Sequence, residues 1–350
     1  MIHIKAPPRG TLPLGVPALL GATAATYRLT CPIARQEGPG ARVVTGGVLV
    51  AVGTGLVLHV GRTLLRDLRG ARRAAEAAQR ALLRPPPPRV GGLRVAAAQL
   101  SADHGARIGG DLYDVARTEH GVRVVMGDAR GHGLAALATA AAVLGCFREA
   151  VHDERALGDV LRRLDRSLAR HLRNGEGGAA AEEFVTVLLL EIHADGSVLA
   201  LNCGHPWPHL IRDGTVEQVA REAPMPPMGP FPLPGDLTAR ACARLGPGEM
   251  LVLHTDGAED ARDRRGRTFP LPEALAEAGR AEPADPAEVL RRTLTSLAQH
   301  ARGTSRDDIA LLVLRRDGDG EDGAPGVSGG WEAPPVGSRR GTPGTGPTTT

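Results

Sequence analysis

Four stretches of this chain place carboxylates against glycine or apolar residues, where a charge is hardest to accommodate. Asp111 follows Gly109-Gly110, Asp128 closes the run VVMG, Asp256 follows LVLHT, and Asp307-Asp308 opens IALLVL. A charge left without compensation in such surroundings is expensive. Strand ends of one sheet can converge on one edge, so these acids can be gathered at a single place. Clustered carboxylates repel unless a hard cation or a shared proton neutralises them. Mg²⁺ and Mn²⁺ suit a shell of carboxylate and water oxygens, whereas zinc asks for His or Cys, and no such residues stand at a zinc-site spacing. One Gly-Asp pair is an ordinary turn. Four such ends in one chain point past turns to a metal site.

The rest of the chain bounds what can surround that site. With 350 residues, 42% of them hydrophobic, it suits one large globular domain or two modest ones. The formal charge of +3 is concentrated in residues 62–89 with no aromatic residue interleaved, which argues against nucleic acid as a partner. Cys31, Cys146, Cys203 and Cys242 include no C-x-x-C pair, so neither a disulfide framework nor a zinc site is indicated. A reducing compartment suits the region carrying the last three.

The N-terminal region has its own character. Residues 43–60, VVTGGVLVAVGTGLVLHV, are bracketed by Arg42 and Arg62 and match the length of a bilayer-spanning helix. A weaker uncharged stretch covers residues 11–27. A buried helix or strand pair of a soluble domain is the alternative reading of 43–60. The arginine-rich segment that follows is rich in helix formers over 63–84 and is stopped by the prolines at 85–88. By the positive-inside rule that segment puts everything after it in the cytoplasm, at the cell membrane. The expected organisation is a membrane anchor of one or two spans over 1–62, an arginine-rich juxtamembrane helix and proline linker over 63–90, a folded domain over 91–316, and a disordered tail over 317–350 whose Gly, Pro, Ser and Thr cannot build a core.

Within 91–316, strands are expected at LRVAAAQLSA, VRVVMGD, EFVTVLLLEIHA, SVLALNCG, EMLVLHTDG and DDIALLVLRR. Helices are expected over 133–151 and 156–173, with a second helical pair at LPEALAEAG and PAEVLRRTLTSLAQHA. Turns at 194–196 and 212–214 join adjacent strands, so much of the sheet should be antiparallel. Strict alternation of strand and helix is missing, which excludes a Rossmann or TIM architecture.

The motifs IGGDLYDV, MGDARGHGLAAL, FVTVLLLEI, NCGHPWPHLI, LVLHTDGAEDARD and DDIALLVLR, in this order, resemble the metal-dependent protein phosphatases of the bacterial sporulation and stress-response type, a branch of the PP2C-like superfamily. The resemblance covers roughly residues 80 to 315. It implies an α+β fold, an α-β-β-α sandwich of two antiparallel sheets with paired helices on each outer face. It also implies two Mn²⁺ or Mg²⁺ ions at one end of the sandwich and hydrolysis of phosphoserine or phosphothreonine on a protein.

Carried over by motif, Asp111 and Asp128 are the catalytic metal ligands, with Asp128 bridging both ions. Asp256 is a third ligand, and Asp307 is the ligand of DDIAL, with Asp308 orienting the loop. The carbonyl of Ala129 stands where relatives commonly offer a carbonyl ligand, although glycine is frequent there. His132 is expected to cap or pack against the following helix, and His205 to form a turn beneath the site. Arg107 and Arg130 are candidates to meet substrate phosphate. The implied partner is a phosphorylated protein resembling an anti-sigma-factor antagonist, with the oligomeric state, a homodimer included, left open. A metal-free interaction module on the same fold, and a two-metal phosphoesterase for small phosphates, are the alternatives.

Overall fold

A computed structural model of the chain describes residues 39–100, 109–174, 183–280, 285–301 and 308–317. The apolar stretch at 11–27 and the expected tail beyond Asp317 lie outside the described residues. The first element is one helix, α1 (Pro39–Leu82), so the apolar segment 43–60 and the arginine-rich segment after it form a single rod. It stops three residues before Pro85, because proline disfavours helical backbone at the residue before it. The amide of Leu83 closes the last turn on the carbonyl of Gln79 at 2.9 Å.

The folded domain then runs β1 (Arg89–Val90), β2 (Leu93–Leu100), β3 (Asp111–Thr118), β4 (Gly121–Ala129), α2 (Leu134–Asp153), α3 (Leu157–Asn174), β5 (Val185–Ile192), β6 (Ser197–Cys203), β7 (His209–Arg212), β8 (Thr215–Gln218), β9 (Arg240–Arg244), β10 (Met250–His254), α4 (Gly257–Asp260), α5 (Leu271–Gly279), α6 (Pro286–Ala301) and β11 (Ile309–Arg316). Two sheets result, one ordered β1-β2-β11-β10-β7-β8 and the other β3-β4-β5-β6-β9. Every strand pairing in both sheets is antiparallel. Helices α2 and α3 cover the second sheet, and α5 and α6 cover the first, which is the expected four-layer sandwich.

The period-2 alternation of a strand decides the layering. In β10, Leu251 and Leu253 enter the core between the layers, while Met250 and Val252 face the α5/α6 side. β11 repeats the pattern, with Ala310, Leu312 and Leu314 inward and Ile309, Leu311 and Val313 outward. Both faces are covered, which is why these strands read as unbroken apolar runs. The turn between β7 and β8 is Asp213-Gly214, both in the left-handed region at φ 48° and 72°, matching the right-handed twist of a two-residue hairpin. Among the described residues, α2 is the helix that is long and apolar enough to cross a membrane, and it is half buried against the second sheet.

One buried charge ties the second sheet to its helices. Arg123, with none of its surface exposed, donates from Nε to Glu191 Oε2 at 2.7 Å across the β4/β5 pairing. Its other nitrogens donate to the carbonyls of Val151, Glu154 and Arg155, which the end of α2 leaves without helical partners. The guanidinium therefore fixes the α2–α3 connection against the sheet. Arg123→Met should destabilise the domain by about 3–5 kcal/mol, because it leaves Glu191 buried opposite an apolar chain. Urea denaturation measures this, and the double variant Arg123→Met with Glu191→Leu should recover much of the loss; a single variant within about 1 kcal/mol of wild type would contradict the assignment.

Candidate metal centre

The β3/β4 hairpin sets Asp111 directly opposite Asp128. Residues directly opposite in an antiparallel pair present side chains to the same face with Cβ atoms about 4.5–5.5 Å apart, and like charges in that position are destabilising. Asp111 opens β3 and is only 4% exposed; Asp128 stands one residue from the end of β4 and is half-buried. The register that brings them together follows from the apolar alternation of the hairpin and from the two-residue turn at Glu119-His120.

Two glycines shape the space before Asp111. A β-carbon on Gly110 would lie 2.0 Å from Ala129 O and 2.8 Å from Asp128 Oδ1. Those two oxygens therefore face one point, and only glycine lets the chain pass it. A β-carbon on Gly109 would lie 2.0 Å from Asp308 Oδ2. Asp308, 4% exposed and next to the start of β11, thus brings its carboxylate from the other sheet to the Gly109-Gly110 segment. The amide of Ala129 donates to Gly110 O at 3.1 Å and closes the cradle.

Thr255, fully buried, joins the two sheets at this edge. Its hydroxyl reaches Asp111 Oδ2 at 3.3 Å and accepts from the amide of Ala310 at 2.9 Å, while its own amide donates to Ala310 O. The next residue, Asp256, is exposed and serves as N-cap of α4 without a side-chain cap bond. Gly257 follows with no room for a side chain, since a β-carbon there would lie 2.2 Å from Asp308 O. Asp256 and Asp308 are thereby held on neighbouring segments. Arg130 is exposed just beyond Ala129, its guanidinium 5.3 Å over the Phe184 ring.

Behind Asp128 lies a buried polar chain. The Asp128 amide donates to Thr186 Oγ1 at 3.2 Å, and that hydroxyl sits 3.0 Å from His205 Nδ1. His205 is clasped by Asn202, which accepts from its amide and donates to its carbonyl, both at 2.9 Å. This is the turn expected of His205. His132 does otherwise: it is exposed, and the N-cap of α2 is Gly133, with no side-chain cap bond. The loop leaves the site on glycines at positive φ, Gly131 and Gly133, so backbone freedom takes the place of a cap.

Of the residues singled out in the sequence, Asp111, Asp128, Ala129 and Asp308 meet at the cradle and Asp256 adjoins it. Asp307 and Arg107 lie outside the described residues. Thr255, Thr186 and Gly257 were not anticipated; their only signal in the chain is adjacency to Asp256 or to an apolar run. Nor was a nitrogen-bearing cluster, yet among the described residues His209, His254 and Glu259 bring one ligand atom each within 4.8 Å of one another.

The donor set suits hard divalent cations, being carboxylate and carbonyl oxygen throughout, in a cradle kept open by glycine. The family model of Stage II sporulation protein E (SpoIIE) matches residues 118–317, more than half of the chain, and the chain belongs to that family. Among solved structures it is similar to the SiaA PP2C domain of Pseudomonas aeruginosa, at 19% identity over 74% of this chain and 98% of that one, with a TM-score of 0.55. It is also similar to the RsbU and RsbW domains of a Mycobacterium tuberculosis protein, at 22% identity over 65% of this chain and 63% of that one, TM-score 0.51. The chain thus spans somewhat less than two thirds of that protein. At these identities the likeness establishes the fold, which is that of a PP2C-like phosphatase domain. A search of curated proteins gives no match.

Burial, with His254 nearby, pushes the His205 pKa down to about 3 from its ordinary 6.5. The unfolded chain therefore takes up a proton near pH 6.5 that the folded state refuses until about pH 3, so this stabilisation is present above 6.5 and lost as the pH falls. Urea denaturation at about pH 7 and pH 5 should show a loss on the order of 2 kcal/mol attributable to His205, and His205→Gln should flatten that dependence. An unchanged pH slope in the variant would refute the assignment.

Proposed function

We propose that this chain is a metal-dependent protein serine/threonine phosphatase that hydrolyses phosphoserine or phosphothreonine on a regulatory protein of the anti-sigma-factor-antagonist kind. The observation that carries the reading is the direct opposition of Asp111 and Asp128 at an edge where Asp308 and Asp256 arrive from the other sheet. Asp111, Asp128, Asp256, Asp307 and the Ala129 carbonyl are the residues that would hold two Mn²⁺ or Mg²⁺ ions, with Asp128 shared between them. When bound, such ions lower the pKa of a water molecule and neutralise charge on phosphoryl oxygens.

The chain's own groups prepare the rest. Thr255 and Thr186 hold Asp111 and the backbone of Asp128 in place, and Asp308 keeps the Gly109-Gly110 segment against the centre. Arg130, on the exposed side of Ala129, is positioned to meet substrate phosphate; Arg107 is a second candidate for that contact. The retained acids disfavour a metal-free interaction module. Asp128→Asn should lower Mn²⁺-dependent turnover of a phosphopeptide by at least about 100-fold, the scale on which a preorganised electrostatic contact counts. Unchanged turnover would sink the site. Wild-type protein active only on a small aryl phosphate would favour a small-phosphate esterase instead.

Residues 43–60 are proposed to insert in the cell membrane, with the phosphatase domain on the cytoplasmic side. In their favour, Val50, Val52, Val57 and Leu58 are exposed on α1. The other end of α1 docks on the domain: Gln79 and Leu83 are buried, and Arg148 of α2 donates to Leu82 O at 2.9 Å while pairing with Asp114 at 2.6 Å. Since α2 begins just after the Asp128–Gly133 loop, α1 is placed to couple the membrane to the metal centre. Deleting residues 1–62 should release the protein from membrane vesicles and change its specific activity; release with identical activity would mean that the anchor only localises.

A further inference from the structure

We infer that His209, His254 and Glu259 form a second metal site, of the nitrogen-rich kind that takes Zn²⁺ or a similar transition-metal ion, distinct from the carboxylate centre. The sheet builds it. His209 of β7 is paired with Val252 of β10, so His254, two residues on, projects from the same face and stands diagonally across from His209. Their rings lie 5.2 Å apart at 31°. Glu259 enters from α4, its Oε1 3.6 Å from His254 Nε2.

The buried nitrogens point to an ion. His254 Nδ1 lies 3.3 Å from the carbonyl oxygen of Thr255, which can only accept, and the tautomer that donates there leaves Nε2 with a lone pair. That Nε2 is buried without a hydrogen-bond partner, and so is His209 Nδ1, in side chains 1% and 4% exposed. An unmade hydrogen bond in such a place costs about 1–3 kcal/mol. In that tautomer the Nε2 lone pair faces Glu259 Oε1 at 3.6 Å, acceptor against acceptor. A cation between them turns that repulsion into coordination. A ligating imidazole whose other nitrogen donates to a backbone carbonyl is the usual arrangement around such ions.

Two imidazoles and one carboxylate are a zinc-type donor set, with a fourth position left for water, and they differ in kind from the all-oxygen centre. Bonds of about 2.0–2.1 Å to a tetrahedral ion would hold the ligand atoms about 3.4 Å apart. The ligand atoms lie within 4.8 Å of one another, so binding would draw them together by about 1.4 Å at most. The half-exposed carboxylate of Glu259 gives the ion a path from solvent. The ion would clamp α4 to β7 and β10, two residues from Asp256.

The inference stands apart from the phosphatase reading and is tested without turnover. The full chain, stripped by a chelator, is titrated with Co²⁺, whose tetrahedral complexes absorb visibly in a way that its octahedral oxygen complexes do not. One equivalent should give the tetrahedral band in wild type and equally in Asp128→Asn. His209→Leu should abolish it, and Glu259→Gln, at a surface position that does not endanger folding, should weaken binding by at least about tenfold. A wild-type protein without the band overturns the site, as does a band lost in Asp128→Asn or undiminished in Glu259→Gln.

Discussion

The opposition of Asp111 and Asp128 across one antiparallel pair is the constraint on which the rest of the functional edge depends. Two carboxylates held on one face repel, and a fold that keeps them there must hold the strands in register by other means. It does so with the apolar residues of β3, β4 and β5 and with the fully buried Arg123, which binds the far end of β4 to Glu191 and to the α2–α3 connection. The strand that presents Asp128 is thus anchored at both ends of its length.

The second requirement is that two sheets meet at that edge without water filling the gap. Thr255 meets it by bonding β11 through Ala310 and reaching Asp111 of the other sheet. Glycines meet it as well: at 109, 110 and 257 a side chain would strike oxygen atoms of Asp308 or Ala129. Small residues let acids from separate strands come close, and a buried chain through Thr186, His205 and Asn202 supports Asp128 from behind. Within that chain the Asp128 amide, Thr186 Oγ1, His205 Nδ1 and the Asn202 side-chain amide all make hydrogen bonds, which ties Asp128 to the buried turn.

Much of this was legible in the residues. The helices at 271–279 and 286–301 coincide with the expected ones, and those at 134–153 and 157–174 agree to within two residues, because their apolar period and the flanking Gly and Pro are unambiguous. The strands between the helix pairs follow their apolar runs. The strands β8 and β9 were not, being four or five residues long and mostly exposed, and β7, buried at His209, Leu210 and Ile211, was marked only by the expected turn at 212–214. β3 was also missed as a strand, since Asp114 and Arg117 interrupt its pattern; pairing with β4 rather than propensity makes it one. The single rod of α1 joins two segments of opposite composition because no proline separates them.

The chain by itself determined the layers and the acids. Period-2 and period-3.6 patterns dictate which faces are buried, and glycine beside aspartate marks where the backbone must pass close to an oxygen. Only the tertiary structure decided which acids face each other, that Thr255 and Thr186 support them, and that His209, His254 and Glu259 share one point. The physical reason is that strand register is a non-local quantity: residues 45 positions apart, as His209 and His254 are, become neighbours through hydrogen bonds that no local pattern encodes.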